Sequence, residues 1–258
     1  MKNVVVFIAF TVLLSCYTKI SSQTDFKNKD ILLSEIYTKF SDNRHDYAAT
    51  ADEARDTILN RFKKTLLTTL SNHESATIPF DLLAKTIHVT TSKDKKLRIF
   101  SWNELNGGTW HIYNSAYQYN ENNKSFSGFL RLENDSTQNP LFTDIIHFEI
   151  EDIEPNKYLV KGYGTHGSRQ DFYVYRLLSF SDGKILDCNK CFDGKDKLVF
   201  EKSRANKTKP IFDTKTKQIS YPEMVPSLKD GEDTGFTEQS EKIIMLNYEN
   251  GTFVNLNN

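Results

Sequence analysis

An excess of either charge is missing from this sequence. Lys and Arg number 33 against 34 Asp and Glu, the signs are interspersed, and the net charge is −1. Such a surface gives no electrostatic reason to expect DNA, RNA or an anionic membrane surface as a partner. A membrane-length apolar run is missing too, since the stretch from Val4 to Leu14 is too short to span a bilayer comfortably. Cysteine is scarce, with three in 258 residues, and one C-x-x-C is only half a zinc site. The HExxH, Walker A, EF-hand and G-x-S-x-G signatures are all lacking, as is any repeat of fixed period. No cofactor and no metal site is indicated.

What is there begins with an address. "MKNVVVFIAFTVLLSC" has Lys2, a short apolar core and a polar continuation, which is the pattern of an export signal rather than of a membrane helix. "LLSC", Leu13 to Cys16, resembles a bacterial lipobox, in which the Cys is lipidated and becomes the mature N-terminus. Cleavage near Ser22 is the alternative and leaves a soluble exported chain. If Cys16 carries lipid, the acyl chains are the only attachment to the membrane, each buried methylene contributing about 0.8 kcal/mol. The expected location is the periplasm, or the outer membrane and cell surface as a lipoprotein.

Residues 1–22 thus form the signal and lipobox region, 23–85 a helical segment and 86–258 an antiparallel β domain. Ile31, Leu32, Ile36 and Phe40 recur near helical spacing, and Ile58, Phe62, Leu66 and Leu70 do so strictly, flanked by Leu59 and Leu67. Thr50 is placed to cap this second helix above Asp52 and Glu53. Pro79 opens a further turn or two of helix. Past residue 85 the period becomes two, and short connectors such as "EPNK", "SDGK" and "ENG" carry turn chemistry. Asn250-Gly251 is the strongest hairpin signal. The expected fold is α+β: an N-terminal helical pair, then a large antiparallel sheet region, barrel-like or a sandwich.

"GYGTHG", Gly162 to Gly167, has the G-x-G-x-x-G spacing of a dinucleotide loop. Such a loop must lead into a helix whose free N–H groups meet the pyrophosphate. It leads instead into "SRQDFYVYRLLSF", which alternates like a strand, so its glycines are expected at a hairpin end.

Other stretches carry chemistry of lower specificity. His111, Tyr113, Ser115, Tyr117 and Tyr119 share one face of a strand, with Trp102 just upstream. Aromatic rows of this kind suit a glycan, a peptide or a stacked ligand, and they equally suit cross-strand packing. In "DIIHFEIEDI" strict alternation places His147, Glu149 and Glu151 opposite Ile146, Phe148 and Ile150. With His166 in the turn "THGSRQD", these residues are the candidates for an exported hydrolase. Cys188 and Cys191, in "CNKC", read as a short-loop disulfide because no helix follows to lower a thiolate pKa.

The stretch "KLRIFSWNELNGGTWHIYNSAYQY" resembles a segment of uncharacterised exported proteins of the Bacteroidota. An "IFSW" strand, a "GGT" turn and an aromatic strand carry the resemblance, which covers Leu97 to Tyr119. It implies export and no particular activity. The expectation is a non-catalytic envelope module that binds a glycan, a peptide or an envelope protein, with an exported His/carboxylate hydrolase as the alternative.

Overall fold

The computed structural model describes residues 27–42, 49–106, 108–109, 111–130, 145–167 and 169–255. The export signal, Cys16, Trp110 and Ser168 lie outside these residues, as does the side chain of His166. Among the described residues, no helix is long and apolar enough to cross a membrane. The chain divides into two compact units, one running to Thr86 with Asn123–Ser125, the other holding Ile87–Asn122 and Phe126 onward.

The first unit is a helical pair, α1 (27–42) and α2 (Ala49–Leu70). In α1 the buried stripe is Leu33, Ile36, Tyr37 and Phe40, whereas Ile31 and Leu32 are only half-buried. In α2 it is Leu59, Phe62, Leu66 and Leu70, with Ile58 and Leu67 at its margins. Both apolar faces are thus rotated slightly from the expected ones, because Tyr37 meets Phe62 at 5.2 Å and draws the seam towards itself. The Arg55 guanidinium lies 5.0 Å above the Phe40 ring. Thr50 falls in the first turn of α2 rather than ahead of it. After Pro79 the chain makes only a 3-10 turn, Leu83–Lys85.

Asp30 explains how that turn is held. Its carboxylate accepts from the amides of Leu82 and Leu83 at 3.0 and 2.9 Å, and the residue is 7% exposed. Removing a buried acceptor from two amides leaves both unsatisfied. We expect Asp30→Ala to lower the unfolding free energy by about 2–3 kcal/mol, read from a urea transition, and Asp30→Asn to recover part of it.

The second unit is built from three antiparallel sheets. The first orders β1 (His88–Thr91), β2 (Leu97–Asn103), β3 (Tyr113–Glu121) and β4 (Lys124–Phe129) side by side. The second runs β5 (Ile146–Glu154), β6 (Lys157–His166), β7 (Gln170–Ser181) and β8 (Lys184–Asp187). In it β9 (Lys197–Ser203) takes the N-terminal half of the β7 edge and β8 the C-terminal half. The third joins β10 (Ile211–Asp213), β11 (Gln218–Lys229), β12 (Glu232–Glu249) and β13 (Thr252–Asn255). These are open sheets, and no closed barrel forms among the described residues.

The middle sheet is covered on both faces. On one, Ile150, Tyr158, Val160, Leu178 and Phe180 pack against Leu97, Ile99 and Tyr119 of the first sheet. On the other, Ile153, Leu159, Tyr175, Leu177 and Leu198 pack against Ile219, Leu246 and Phe253 of the third. Double coverage explains why "DFYVYRLLSF" is apolar on both sides, a pattern that an antiparallel strand with one wet face does not show.

Hairpin chemistry supplies the connections. Asp182-Gly183, Asp230-Gly231 and Asn250-Gly251 each take positive φ at both residues, the turn whose twist matches the flanking strands. The "GYGTHG" stretch is β6 itself and the turn beyond it. Gly167 adopts φ +63°, but Gly162 serves a different need: a Cβ there would come within 2.5 Å of the Ile145 side chain. Strand β7 follows, and with no helix there is no phosphate cradle.

One feature escaped the sequence pattern. Strands β11 and β12 continue past the expected "QISYP" and "KIIMLNY" into a ribbon tipped by Asp230-Gly231. Its distal half is exposed on both faces, so no alternation marks it. Pro222 and Pro226 sit in β11, where proline withholds an edge donor.

Candidate functional site

The aromatic row divides between core and surface. Trp102 is 1% exposed and Tyr119 fully buried. Tyr119 stacks on Phe180 at 4.0 Å with 14° between the planes, and the edge of Trp102 meets Phe129 at 6.2 Å. Tyr117 is half-buried, 6.0 Å from the Phe180 ring, and presses on Gly128, where a Cβ would lie 2.9 Å from its ring. These three rings fill layers of the unit. His111 and Tyr113 differ, being half-buried and stacked on each other at 5.8 Å beside the 104–112 loop. The His111 ring is held through Nδ1 by Asn103 at 2.9 Å, and its backbone N–H donates to Thr165 Oγ1 at 3.2 Å.

The His/carboxylate grouping is taken apart by a β-bulge. Register shifts by one residue between His147, opposite Gly162, and Glu149, opposite Lys161. His147 consequently faces the first sheet together with Ile150, while Glu149 and Glu151 turn to the opposite layer. His147 is 5% exposed, and its Nδ1 lies 3.0 Å from Ser115 Oγ and 3.3 Å from Ser101 Oγ. Those hydroxyls bond to each other at 2.8 Å, and Ser101 Oγ also accepts the His147 amide at 3.1 Å. Burial, helped by the nearby Arg176 charge, lowers the His147 pKa to about 3, so the ring is neutral. The three side chains of this cluster are all buried.

Glu149 and Glu151 grip a lysine. Lys161 Nζ sits 2.9 Å from one and 3.0 Å from the other, under the rings of Phe212 at 5.1 Å and Tyr175 at 5.9 Å. The ammonium is buried and doubly paired, which makes this a structural tie rather than a reactive lysine. No cluster of three or more His, Cys, Asp or Glu groups suited to a metal occurs among the described residues.

Cys188 and Cys191 form a disulfide with Cα atoms 5.7 Å apart. Its loop secures β13: the Cys191 carbonyl accepts the Phe253 amide at 2.6 Å, and the Phe192 ring stacks on Phe253 at 5.2 Å.

A cleft of about 280 Å³ opens where the β6–β7 turn, the end of β9 and the β12 ribbon meet, lined by Arg169, Ser203, Arg204, Ala205 and Phe236. The sequence singled out none of these as a partner of the others, although "THGSRQD" contains Arg169. Strand pairing positions two of them: the Arg204 amide donates to the Arg169 carbonyl at 2.8 Å, extending the β7–β9 ladder by one step. Arg204 Nε then donates to Asp171 Oδ1 at 2.8 Å and its Nη2 to the Gly167 carbonyl at 3.1 Å. From the ribbon, the Arg169 guanidinium meets the Phe236 ring at 5.6 Å, and Gln170 Nε2 donates to the Gly235 carbonyl at 3.5 Å.

Asp171, 5% exposed, is the hub behind this cleft. It also faces Lys202 Nζ at 3.8 Å, and burial together with a hydrogen bond from the Tyr163 hydroxyl to Asp171 drives the Tyr163 pKa upward. Lys202 is pushed below its ordinary range by burial. Asp171 opposes that shift, and the charges of Lys207 and Arg204 reinforce it. Around one carboxylate the fold thus gathers an excess of cations.

Comparison of the chain with protein families, with curated proteins and with solved structures finds no match.

Proposed function

We propose that this chain is an exported envelope protein, tethered through lipid on Cys16, whose β-rich unit is a non-catalytic binding module. The observation that carries the reading is the Arg169–Arg204–Phe236 cleft, an open depression where the β6–β7 turn, the end of β9 and the β12 ribbon meet beside a doubly covered sheet. Binding residues characteristically occupy loops that a rigid scaffold positions. The Cys188–Cys191 disulfide supports an oxidising destination, since such bridges persist outside the cytosol. Binding is preferred to hydrolysis because His147 and the two glutamates face different layers. Among the described residues the buried imidazole is bonded to two hydroxyls, those of Ser101 and Ser115, and to no carboxylate.

Mass spectrometry of the mature N-terminus tests the envelope half. The expected product begins at an acylated Cys16 and fractionates with membranes, and Cys16→Ala moves the protein into the soluble exported fraction. An unprocessed chain that stays in the cytosol overturns this reading.

A further inference from the structure

Resting on that reading, we propose that the cleft recognises a small organic oxyanion: a carboxylate, sulfate or phosphate ester carried on a body of about sugar-ring size. Two guanidinium groups line the cleft, and among the described residues no carboxylate does. A guanidinium only donates hydrogen bonds, so a neutral polyol, which needs acceptors as well, is a poor match for the pair. An oxyanion accepts from both.

Arg204 is fixed in advance. Its Nε and Nη2 are engaged by Asp171 and the Gly167 carbonyl, while Nη1 carries two further N–H groups on a side chain that is 43% exposed. Preorganisation of this kind reduces the ordering entropy that a ligand contact must overcome. Asp171 does not cancel the site's charge, because Lys202 shares it. Lys202 Nζ is itself anchored on the Asn206 carbonyl at 2.6 Å. Two cations, Arg204 and Lys202, thus share Asp171, and Arg169 adds a third positive charge at the cleft wall. Of the acids nearest Phe236 in sequence, Glu238 accepts from Ser227 Oγ through Oε2 at 3.3 Å, and Asp233 turns its Oδ1 onto the Gly235 amide at 2.8 Å.

Phe236 supplies the wall that a bare ion would not need. With Arg169 at 5.6 Å it forms a flat apolar face beside a charge, suited to a ring that bears an anionic group. The volume, about 280 Å³, lies just below the usual range of ligand pockets, which limits the occupant to about a single ring.

Isothermal titration of the purified exported chain with glucuronate, glucose 6-sulfate, glucose 6-phosphate, inorganic phosphate and glucose tests the assignment. At least one charged sugar is expected to bind about tenfold or more tightly than glucose, and more weakly as salt rises. Arg169→Gln, a change at an exposed position, should weaken that binding about tenfold. Phe236→Ala should weaken the charged sugar while leaving inorganic phosphate unchanged. Glucose binding as tightly as every charged sugar overturns the anion assignment and leaves the binding module intact. Unchanged affinity in both variants, or no heat from any probe, also overturns it. The acylated Cys16 terminus is read separately.

Discussion

Tyr119→Ala is expected to destabilise the protein by about 3–5 kcal/mol in a urea transition at neutral pH. The ring is wholly buried, stacks on Phe180 at 4.0 Å and meets the edge of Tyr158 at 6.4 Å. Truncation opens a cavity between two sheets that cannot collapse without moving both. Burial first, then the charges of Glu121 and Asp94, pushes the Tyr119 pKa up to about 12, so the hydroxyl stays neutral. Among the described residues its hydroxyl bonds only to Glu121, at a long 3.5 Å, and Tyr119→Phe should therefore change stability by less than about 1 kcal/mol. Tyr113→Ala, at a half-buried ring beside a loop, should fall near that smaller figure. A Tyr119→Ala protein as stable as the parent would return this ring to the list of ligand contacts.

Acid should destabilise the protein through His147. In the folded state its pKa is about 3, against 6.5 when exposed, because the ring is enclosed between two sheets with Arg176 nearby. Above 6.5 the imidazole is neutral whether the chain is folded or not, and the fold keeps its full stability. As pH falls below 6.5 the unfolded chain binds a proton that the folded one refuses, and stability is lost until the folded pKa is reached. The slope approaches 1.4 kcal/mol per pH unit, or about 2 kcal/mol between pH 7 and 5. Urea midpoints across that interval measure it, and His147→Asn should flatten the slope whatever its own stability. An unflattened slope would assign the acid sensitivity to other groups.

Much of the architecture was legible in the residues. The switch from helical to two-residue periodicity near residue 86 marks where one unit gives way to the other. The hairpins at Asp182-Gly183 and Asn250-Gly251 were legible because those residues tolerate positive φ, a local requirement. The ribbon at 222–243 was not, since exposure on both faces leaves no pattern and its Asp230-Gly231 tip was the only signal. Alternation also misled in β5. A bulge between His147 and Glu149 inserts a residue, and every side chain beyond it changes layer.

Local sequence by itself determined the helical pair, the strands outside the 222–243 ribbon, the hairpin turns and the dismissal of a phosphate loop at Gly162 to Gly167. Each of these depends on neighbours within a few positions, through periodicity and allowed φ. Only the tertiary structure decided which aromatics are core, that His147 is sealed away from Glu149 and Glu151, and that Arg169, Arg204 and Phe236 share a cleft. Those outcomes depend on which sheet covers which face and on contacts between segments more than thirty residues apart, such as Asp171 with Arg204. No short-range pattern encodes them.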